Sequence, residues 1–285
     1  MRGRTWFTLA TLLSAFFLVP FSSWAQTDVI QQFDKGSINW STGKVTAIGI
    51  GAPPSNAANA AQARTMARRA ALLDARRNLL EITQGVQVDS MTLVRNAVVE
   101  SDIIRSSVQG FIQNSQPIDT AYMSDGSVEV TVVMSMTGEF AEVVLPQRLA
   151  GGQGSTPAPV VPPTPGAPTP GSQIFTGLVV DARGLGTRPA MSPKILDETG
   201  KEVYGSAMVD REFAVKQGMA GYAKDIKAAQ TNARVTNNPL TIQGIRATGG
   251  GKSDIVISNS DASSLLSAAE NLSFLQKCRV MVVLD

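Results

Sequence analysis

Apolar and polar residues alternate most regularly over residues 128–136, a pattern typical of a β-strand with one buried face. Residues 117–123 precede it with a strand-like composition, and Asp125-Gly126 lies between the two stretches. Because an Asp-Gly pair suits the turn of a two-stranded hairpin, we predict a β-hairpin here. The buried face of its second strand should carry Val128, Val130, Val132, Met134 and Met136.

A helical pattern covers residues 56–84 and is followed by Gly85, a natural helix stop. At about 100° per residue, one side of this helix is almost entirely alanine, whereas leucines form pairs in other directions. We expect the alanine side to let a sheet backbone approach closely and the leucines to pack against a second neighbour. The alanines are Ala63, Ala67, Ala70 and Ala71, and the leucine pairs are Leu72 with Leu79 and Leu73 with Leu80.

The same half of the chain contains a strand-like stretch at 43–53 and a second helical pattern at 101–112, with Ser101 as its N-cap. Together with the hairpin, these elements predict an α+β domain over 38–149. It should be a small antiparallel sheet packed by one long helix.

The second half, residues 173–285, has strand patterns interrupted by short polar turns. Strands are predicted at 174–180, on both sides of turns in 194–205 and 238–259, and at 277–284. A single helix is predicted over 260–275, capped by Ser260 or Asp261, with an apolar face of Leu265, Leu266, Ala269 and Leu272. These elements indicate a mixed α/β sheet domain.

Two stretches are not expected to belong to either domain. Residues 150–172 are rich in proline, glycine, serine and threonine, so we interpret them as an extended linker. Residues 1–25 have a basic start, a short apolar run and a small residue, Ala25, at the expected cleavage point. This pattern predicts a cleaved signal peptide, and the next residue is Gln26 rather than the cysteine that a lipid anchor would need.

Charge and cysteine content narrow the classes of partner. The chain has 25 basic and 23 acidic residues, and removal of Arg2 and Arg4 with the leader makes the numbers equal. Nucleic-acid binders carry a marked basic excess, so we expect no nucleic-acid partner. The single cysteine, Cys278, lies in the predicted last strand and is expected to be buried and inert. After the leader, no stretch is apolar enough for an integral membrane segment.

The chain contains no histidine, which excludes Ser-His-Asp, Cys-His and histidine-based zinc sites. Asp197, Glu198 and Glu202 cluster, but around a predicted turn. The glycines of 181–189 and 248–254 lack the spacing of nucleotide-binding loops, and we interpret both stretches as turns. We therefore predict a protein that is not an enzyme, with no catalytic residues, no cofactor and no metal.

Five arginines fall within residues 64–77 of the long helix, which raises the question of a polyanion-binding surface. Their directions are spread over three sides of the helix, so we favour a structural role. The candidate structural or interaction residues are Arg69, Arg76, Arg77, Asp74 and Glu81. Arg69 and Arg76 are expected to find acidic or carbonyl partners, and Arg77 is expected to pair with Glu81.

An ordered series of motifs carries a family resemblance over most of 38–140. The segments GKVTAIGIGAP, ARTMARRAALLDARRNLLEITQGVQVDSMT, SDIIRSSVQGFI and DGSVEVTVVMSM resemble the lipoprotein-20-like bacterial envelope domain. They are also similar to the first part of flagellar assembly protein T. The resemblance implies an α+β domain without known catalytic residues and a function in assembly near the outer membrane. The segment VVDARGLGTRPAMSPKILDETGKEVYGS resembles a domain that accompanies it in related chains.

We therefore expect a secreted, non-enzymatic cell-envelope protein of the periplasm or outer-membrane periphery of a Gram-negative bacterium. It would act through contacts with envelope proteins or with further copies of itself, in outer-membrane-associated or flagellar assembly. Two alternatives stay open. One is a periplasmic ligand-binding module, with its pocket in the second domain. The other is a hydrolase that uses two carboxylates facing a cleft.

Overall fold

The computed structural model describes residues 28–146, 175–267 and 269–285, and they form two β-sheets with helices packed against them. The predicted signal peptide, 1–25, and the predicted linker, 150–172, lie outside these residues. The expected fold class, α+β with an antiparallel sheet followed by a mixed sheet, is confirmed.

The first sheet is antiparallel throughout and has the strand order β1-β2-β3-β5-β4. It begins at Ile30, before the boundary expected at residue 38, because a short hairpin of two strands precedes the stretch that the pattern revealed. The predicted hairpin around Asp125-Gly126 forms β4 and β5. The strands are β1 Ile30–Phe33, β2 Gly36–Asn39, β3 Lys44–Gly51, β4 Gln116–Tyr122 and β5 Val128–Ser135.

Four helices accompany this sheet: α1 Ala60–Gln84, α2 Val94–Glu100, α3 Asp102–Gln113 and α4 Glu139–Val144. The long helix starts later than residue 56, because Asn59 caps it by accepting a hydrogen bond from the Gln62 N–H at 2.8 Å. Ser101 caps α3 as predicted. Residues 87–93, which alternate weakly, form a tight loop with one isolated bridge.

Helix α1 lies unusually close to β3. A Cβ atom at Gly49 would collide with the backbone of Ala71 and Ala75, and one at Gly51 would collide with the backbone of Ala67. The close approach on alanine is thus confirmed, but the predicted alanine face is rotated. Ala67, Ala71 and Ala75 are buried at four-residue spacing, whereas Ala70 is exposed.

On its β2 side, the end of β3 has no strand beside it, since β2 pairs only with Lys44–Ala47, whereas β5 pairs with the other side of β3 as far as Gly51. Helix α1 supplies the missing hydrogen bonds from side chains one turn apart. The Asp74 carboxylate accepts from the Ile50 N–H at 3.0 Å, and the Asn78 amide donates to the Ile48 carbonyl at 2.7 Å. These two side chains provide hydrogen-bond partners for backbone groups of β3 that no strand pairs on this side.

The second sheet has seven strands in the order β8-β7-β11-β10-β6-β12-β9. Within this sheet, the adjacent strands β10, β6, β12 and β9 run parallel to one another. The pair β10 and β11 and the pair β7 and β8 are antiparallel. The strands are β6 Gly177–Asp181, β7 Ile195–Leu196, β8 Glu202–Tyr204, β9 Gly221–Ala223, β10 Pro239–Thr248, β11 Asp254–Ile257 and β12 Val280–Val283.

The helices of this half are α5 Arg211–Gln217, α6 Ile226–Gln230, α7 Asn259–Leu266 and α8 Ala269–Gln276. The prediction of one helix over 260–275 is wrong, since the segment forms two helices. The cap of the first of these helices is Ser258 rather than Ser260 or Asp261, because the Ser258 hydroxyl accepts from the Asp261 N–H at 3.0 Å. Cys278 is buried as predicted, and burial raises the pKa of its thiol to about 11.

Of the helices in the described part of the chain, none combines the length and the apolar character needed to cross a lipid bilayer.

Candidate functional site

The arginines of α1 do not form the contacts predicted for them. Arg69 and Arg77 are exposed, and Arg76 is half-buried with its Nε atom buried and unbonded. Within the described residues, none of the three forms an ion pair. The helix turns its alanines to the sheet, so Arg69 and Arg77 lie on the solvent side, where water can solvate their charge.

The two acidic candidates on α1 also differ from the expectation. Asp74 bonds the Ile50 N–H instead of an arginine, and Glu81 is exposed and forms no ion pair among the described residues. Leu73 is 67 % exposed, so the second predicted leucine face is incomplete. Arg64, on the same helix, forms a cation–π contact, since its guanidinium lies 5.6 Å from the ring centre of Tyr122 on β4.

The carboxylates considered for hydrolysis support local structure. Asp197 accepts from the Thr199 and Lys201 N–H groups at 2.9 Å, which stabilises the predicted turn. The Thr199 hydroxyl bond lowers the pKa of Asp197. Glu198 accepts from the Asn259 N–H at the start of α7, and Glu202 lies 3.4 Å from the Lys194 ammonium.

The two glycine-rich stretches form turns, as predicted. Gly184 and Gly186 have positive φ angles of 76° and 65° in a turn after β6, and no helix follows. The second stretch connects β10 to β11, with Gly249 at a φ of 82°.

The two sheets meet at a junction whose centre is an aromatic pair. The rings of Trp40 and Tyr222 lie 5.9 Å apart in an edge-to-face arrangement. The Ser41 hydroxyl donates to the Tyr222 carbonyl at 2.7 Å, although the two residues are 181 positions apart. The Tyr222 hydroxyl donates to the Ala190 carbonyl at 2.6 Å, which fixes the ring.

Backbone hydrogen bonds hold the junction on one side. The loop between α1 and α2 accepts them through three carbonyl groups, which fixes its position against two turns of the second half. The bonds are Met191 N–H to Gln87 at 3.0 Å, Ser192 N–H to Val88 at 2.7 Å and Gly251 N–H to Ser90 at 2.6 Å.

On the other side, α4 and α5 connect the halves. The Gly138 N–H donates to the Val215 carbonyl at 2.8 Å. The Arg211 guanidinium donates to the carbonyls of Glu142 and Pro146. The junction is therefore closed by hydrogen bonds on both flanks of the aromatic pair.

A cavity of about 290 Å³ lies inside this junction. The first half contributes Trp40, Met136 and Thr137 to its wall, and the second half contributes Lys216, Tyr222 and Arg234. Two cationic side chains line it, and its described lining residues include no aspartate or glutamate. The ligand-binding alternative placed its pocket in the second domain, whereas the wall of this cavity is built by both halves.

Arg234 is the most constrained charge of the cavity wall. Its Nη1 donates to the carbonyls of Gly218 at 3.0 Å and Cys278 at 2.8 Å, and its Nη2 donates to the Gln217 carbonyl. Burial lowers the pKa of this guanidinium. Sequence reasoning missed Trp40, Tyr222 and Arg234, because no local motif marks residues that meet only in the folded chain.

Strand β4 is the most exposed of the strands that the structure describes. It pairs with β5 on one side, and in the described sheet no strand lies on its other side. Ile118 is 58 % exposed and Tyr122 is 56 % exposed. Its first residues include Pro117, and the register shifts between Pro117 and Asp119.

Comparison with known proteins relates the second half to a bacterial domain. Residues 177–285 match the family model for the second domain of Tp0624 from Treponema pallidum. The match begins at the first residue of β6 and covers the whole second sheet, which fits a chain of two domains. It spans somewhat more than a third of the chain. No curated protein matches the chain.

Proposed function

We propose that the protein is a non-enzymatic component of the bacterial cell envelope that acts by binding other proteins. The observation that carries this proposal is the open edge of β4 with its exposed apolar side chains. An edge strand presents unpaired N–H and C=O groups, which an extended segment of a partner can pair with as an added strand. Ile118 and Tyr122 would then supply apolar contact area.

The setting in the envelope is supported by two features of the sequence. Residues 1–25 have the pattern of a signal peptide, which would deliver the chain to the periplasm or the outer-membrane periphery. The motifs of 38–140 resemble the lipoprotein-20-like domain and the first part of flagellar assembly protein T. A function in outer-membrane-associated or flagellar assembly is the finer form of the proposal.

Site-specific photocrosslinking in intact cells tests the surface. A photoreactive phenylalanine analogue at Ile118 should give a discrete protein adduct, whose mass distinguishes a second copy of the chain from another envelope protein. The matched control is the analogue at Ile245, an exposed apolar residue of the second sheet. Equal adducts at both positions, or none at Ile118, would contradict the proposal.

A charge on the edge should weaken the same interaction. Ile118→Lys adds a solvated cation to the open edge, a common device against strand pairing. The adduct formed from position 122 should then be lost, while Ile245→Lys leaves it unchanged. An unaffected adduct in Ile118→Lys would mean that the partner does not bind at β4.

A further inference from the structure

The cavity at the junction has the composition of a binding site for an anion with an apolar body. Its wall combines the Trp40 and Tyr222 rings and Met136 with the cations Lys216 and Arg234. Lys216 is exposed on α5 and forms no ion pair within the described residues. Two positive charges therefore line one small space without an acidic side chain in its described lining.

Arg234 retains unused hydrogen-bond donors. A guanidinium has five N–H groups, and the carbonyls of Gln217, Gly218 and Cys278 take three of them. The Nε–H and one Nη2–H have no partner in the part of the chain that the structure describes. In a guanidinium, Nε and Nη2 form one edge, and that edge matches the two oxygens of a carboxylate or phosphate.

The three carbonyl bonds also hold the guanidinium in place. Because Arg234 is fixed by Gln217, Gly218 and Cys278 before any ligand arrives, little side-chain entropy would be lost on binding. The residues that fix it belong to the end of α5 and to the segment before β12. The site is therefore preorganised by the second half and closed by the first.

We propose that this cavity binds a small organic oxyanion, with its charged group on the free edge of Arg234 and near Lys216 and its apolar part against Trp40. The cavity of about 290 Å³ is at the small end of ligand sites, so the ligand is the size of a substituted aromatic or short aliphatic acid. The shared chemistry is a planar or tetrahedral oxyanion, carried by a carboxylate or a phosphate ester.

Trp40 provides the readout, because its ring lies in the cavity wall. Tryptophan fluorescence of the full chain is measured during titration with benzoate, phenyl phosphate and the neutral isostere benzamide. The Trp40→Phe variant is titrated in the same way, and its signal, which comes from Trp6 and Trp24, is subtracted. At least one of the two anions should give a saturable change with a Kd of about 1 mM or tighter, the range expected for so few atoms. Benzamide should give none.

The two anions separate the sources of the oxyanion. Tighter binding of phenyl phosphate indicates a phosphate ester, and tighter binding of benzoate indicates a carboxylate. The proposal is overturned if neither anion gives a saturable change up to about 10 mM, or if benzamide binds as tightly as the anions.

Matched lysine variants test whether the ligand binds in this cavity. Lys216→Gln should weaken binding about threefold, since the lost charge is partly screened by solvent. Lys227→Gln, which removes an exposed lysine of α6 outside the cavity, should leave binding unchanged. Arg234→Lys should weaken it about tenfold, because lysine lacks the paired donors. Equal affinities in the two lysine variants would exclude the cavity, even if Arg234→Lys fails to fold.

Discussion

The two sheets of the molecule differ in how they use their surfaces. In the first sheet, buried and half-exposed residues alternate along β5, because α1 covers one face and solvent reaches the other. In the second sheet, every residue of β6, β11 and β12 is buried. These three strands of the second sheet are thus interior, whereas the first sheet is half interior and half surface.

The exposed apolar side chains follow the same division. All the large ones in the described chain belong to the first half, except Ile245 and Leu272. Contiguous exposed apolar surface favours contact with a partner, whereas single exposed apolar residues are common on folded proteins. This difference is the reason that the proposed external contacts are assigned to the first half, while the cavity of the junction is lined by both halves.

The largest effect should come from the contact that closes the buried face of the first sheet. Gly49→Ala places a methyl group against the backbone of Ala71 and Ala75, which no side-chain movement can relieve. We expect a loss of about 3 kcal/mol or more in the free energy of unfolding, measured by urea denaturation. A loss under about 1 kcal/mol would show that α1 does not approach β3 so closely.

A second glycine provides the control for this substitution. No atom lies within 4 Å of a Cβ placed on Gly110, which is in the middle of α3. Gly110→Ala should therefore stabilise the protein by about 0.5–1 kcal/mol through helix propensity alone. Changes of opposite sign in the free energy of unfolding of the two variants would distinguish the effect of close packing from that of backbone preference.

The next effect concerns the protected end of β3. Asp74→Ala removes the acceptor of the Ile50 N–H, and urea denaturation should show a loss of about 1–2 kcal/mol. Glu81→Ala, on the same helix but exposed, should change the free energy of unfolding by less than about 0.5 kcal/mol. Similar losses in both variants would mean that the hydrogen bond from the Ile50 N–H to Asp74 contributes no stability of its own.

These residues also show how far the sequence could predict the fold. Alternation over 128–136 and the Asp-Gly turn depend on neighbouring residues, so β4, β5 and their turn followed directly from the pattern. Short strands such as β1 and β2 carry too few residues for a period, and they were missed. The partner of Asp74 could not be predicted, because it depends on where β2 ends beside β3.

The junction was even less accessible from the sequence. Trp40, Tyr222 and Arg234 come from distant parts of the chain, and each resembles an ordinary core or surface residue in its local context. Only the relative placement of the two sheets brings them to one cavity. A single sequence contains no local signal for such a site.

A smaller effect should appear in the pH dependence of the free energy of unfolding, through Asp254. Burial raises the pKa of Asp254 above its ordinary value of 3.8, while bonds from Ser90 and Lys194 act against this shift. The folded chain then holds this proton more strongly than the unfolded chain, so stability falls as pH rises through that window. Asp254→Asn should flatten this part of the profile, measured by urea denaturation across the acidic range.

A carboxylate with the opposite shift provides the comparison. Asp197 has a lowered pKa because the Thr199 hydroxyl donates to it, so its contribution is present above the ordinary value and is lost as pH falls. Asp197→Asn should therefore change the slope in the opposite direction to Asp254→Asn. Equal slopes in both variants would contradict the difference in burial between the two sites.

The smallest effect should come from the arginines on the outer side of α1. Arg69 and Arg77 are exposed and form no ion pair among the described residues, so Arg69→Ala and Arg77→Ala should each change the free energy of unfolding by less than about 0.5 kcal/mol. Their exposure leaves the polyanion hypothesis to be tested by binding rather than by stability. A basic surface made for DNA would bind a duplex with an affinity that falls steeply with salt.

We expect no such binding, because acidic and basic residues are equally numerous in residues 26–285. Fluorescence anisotropy with a labelled duplex at about 0.15 M salt should give no Kd tighter than about 10⁻⁴ M, the weak end of non-specific binding. Tighter binding that is lost in the Arg69→Ala, Arg77→Ala double variant would assign this face of α1 to a polyanion. The first sheet would then have two external surfaces, the open edge of β4 and the arginine face of its helix.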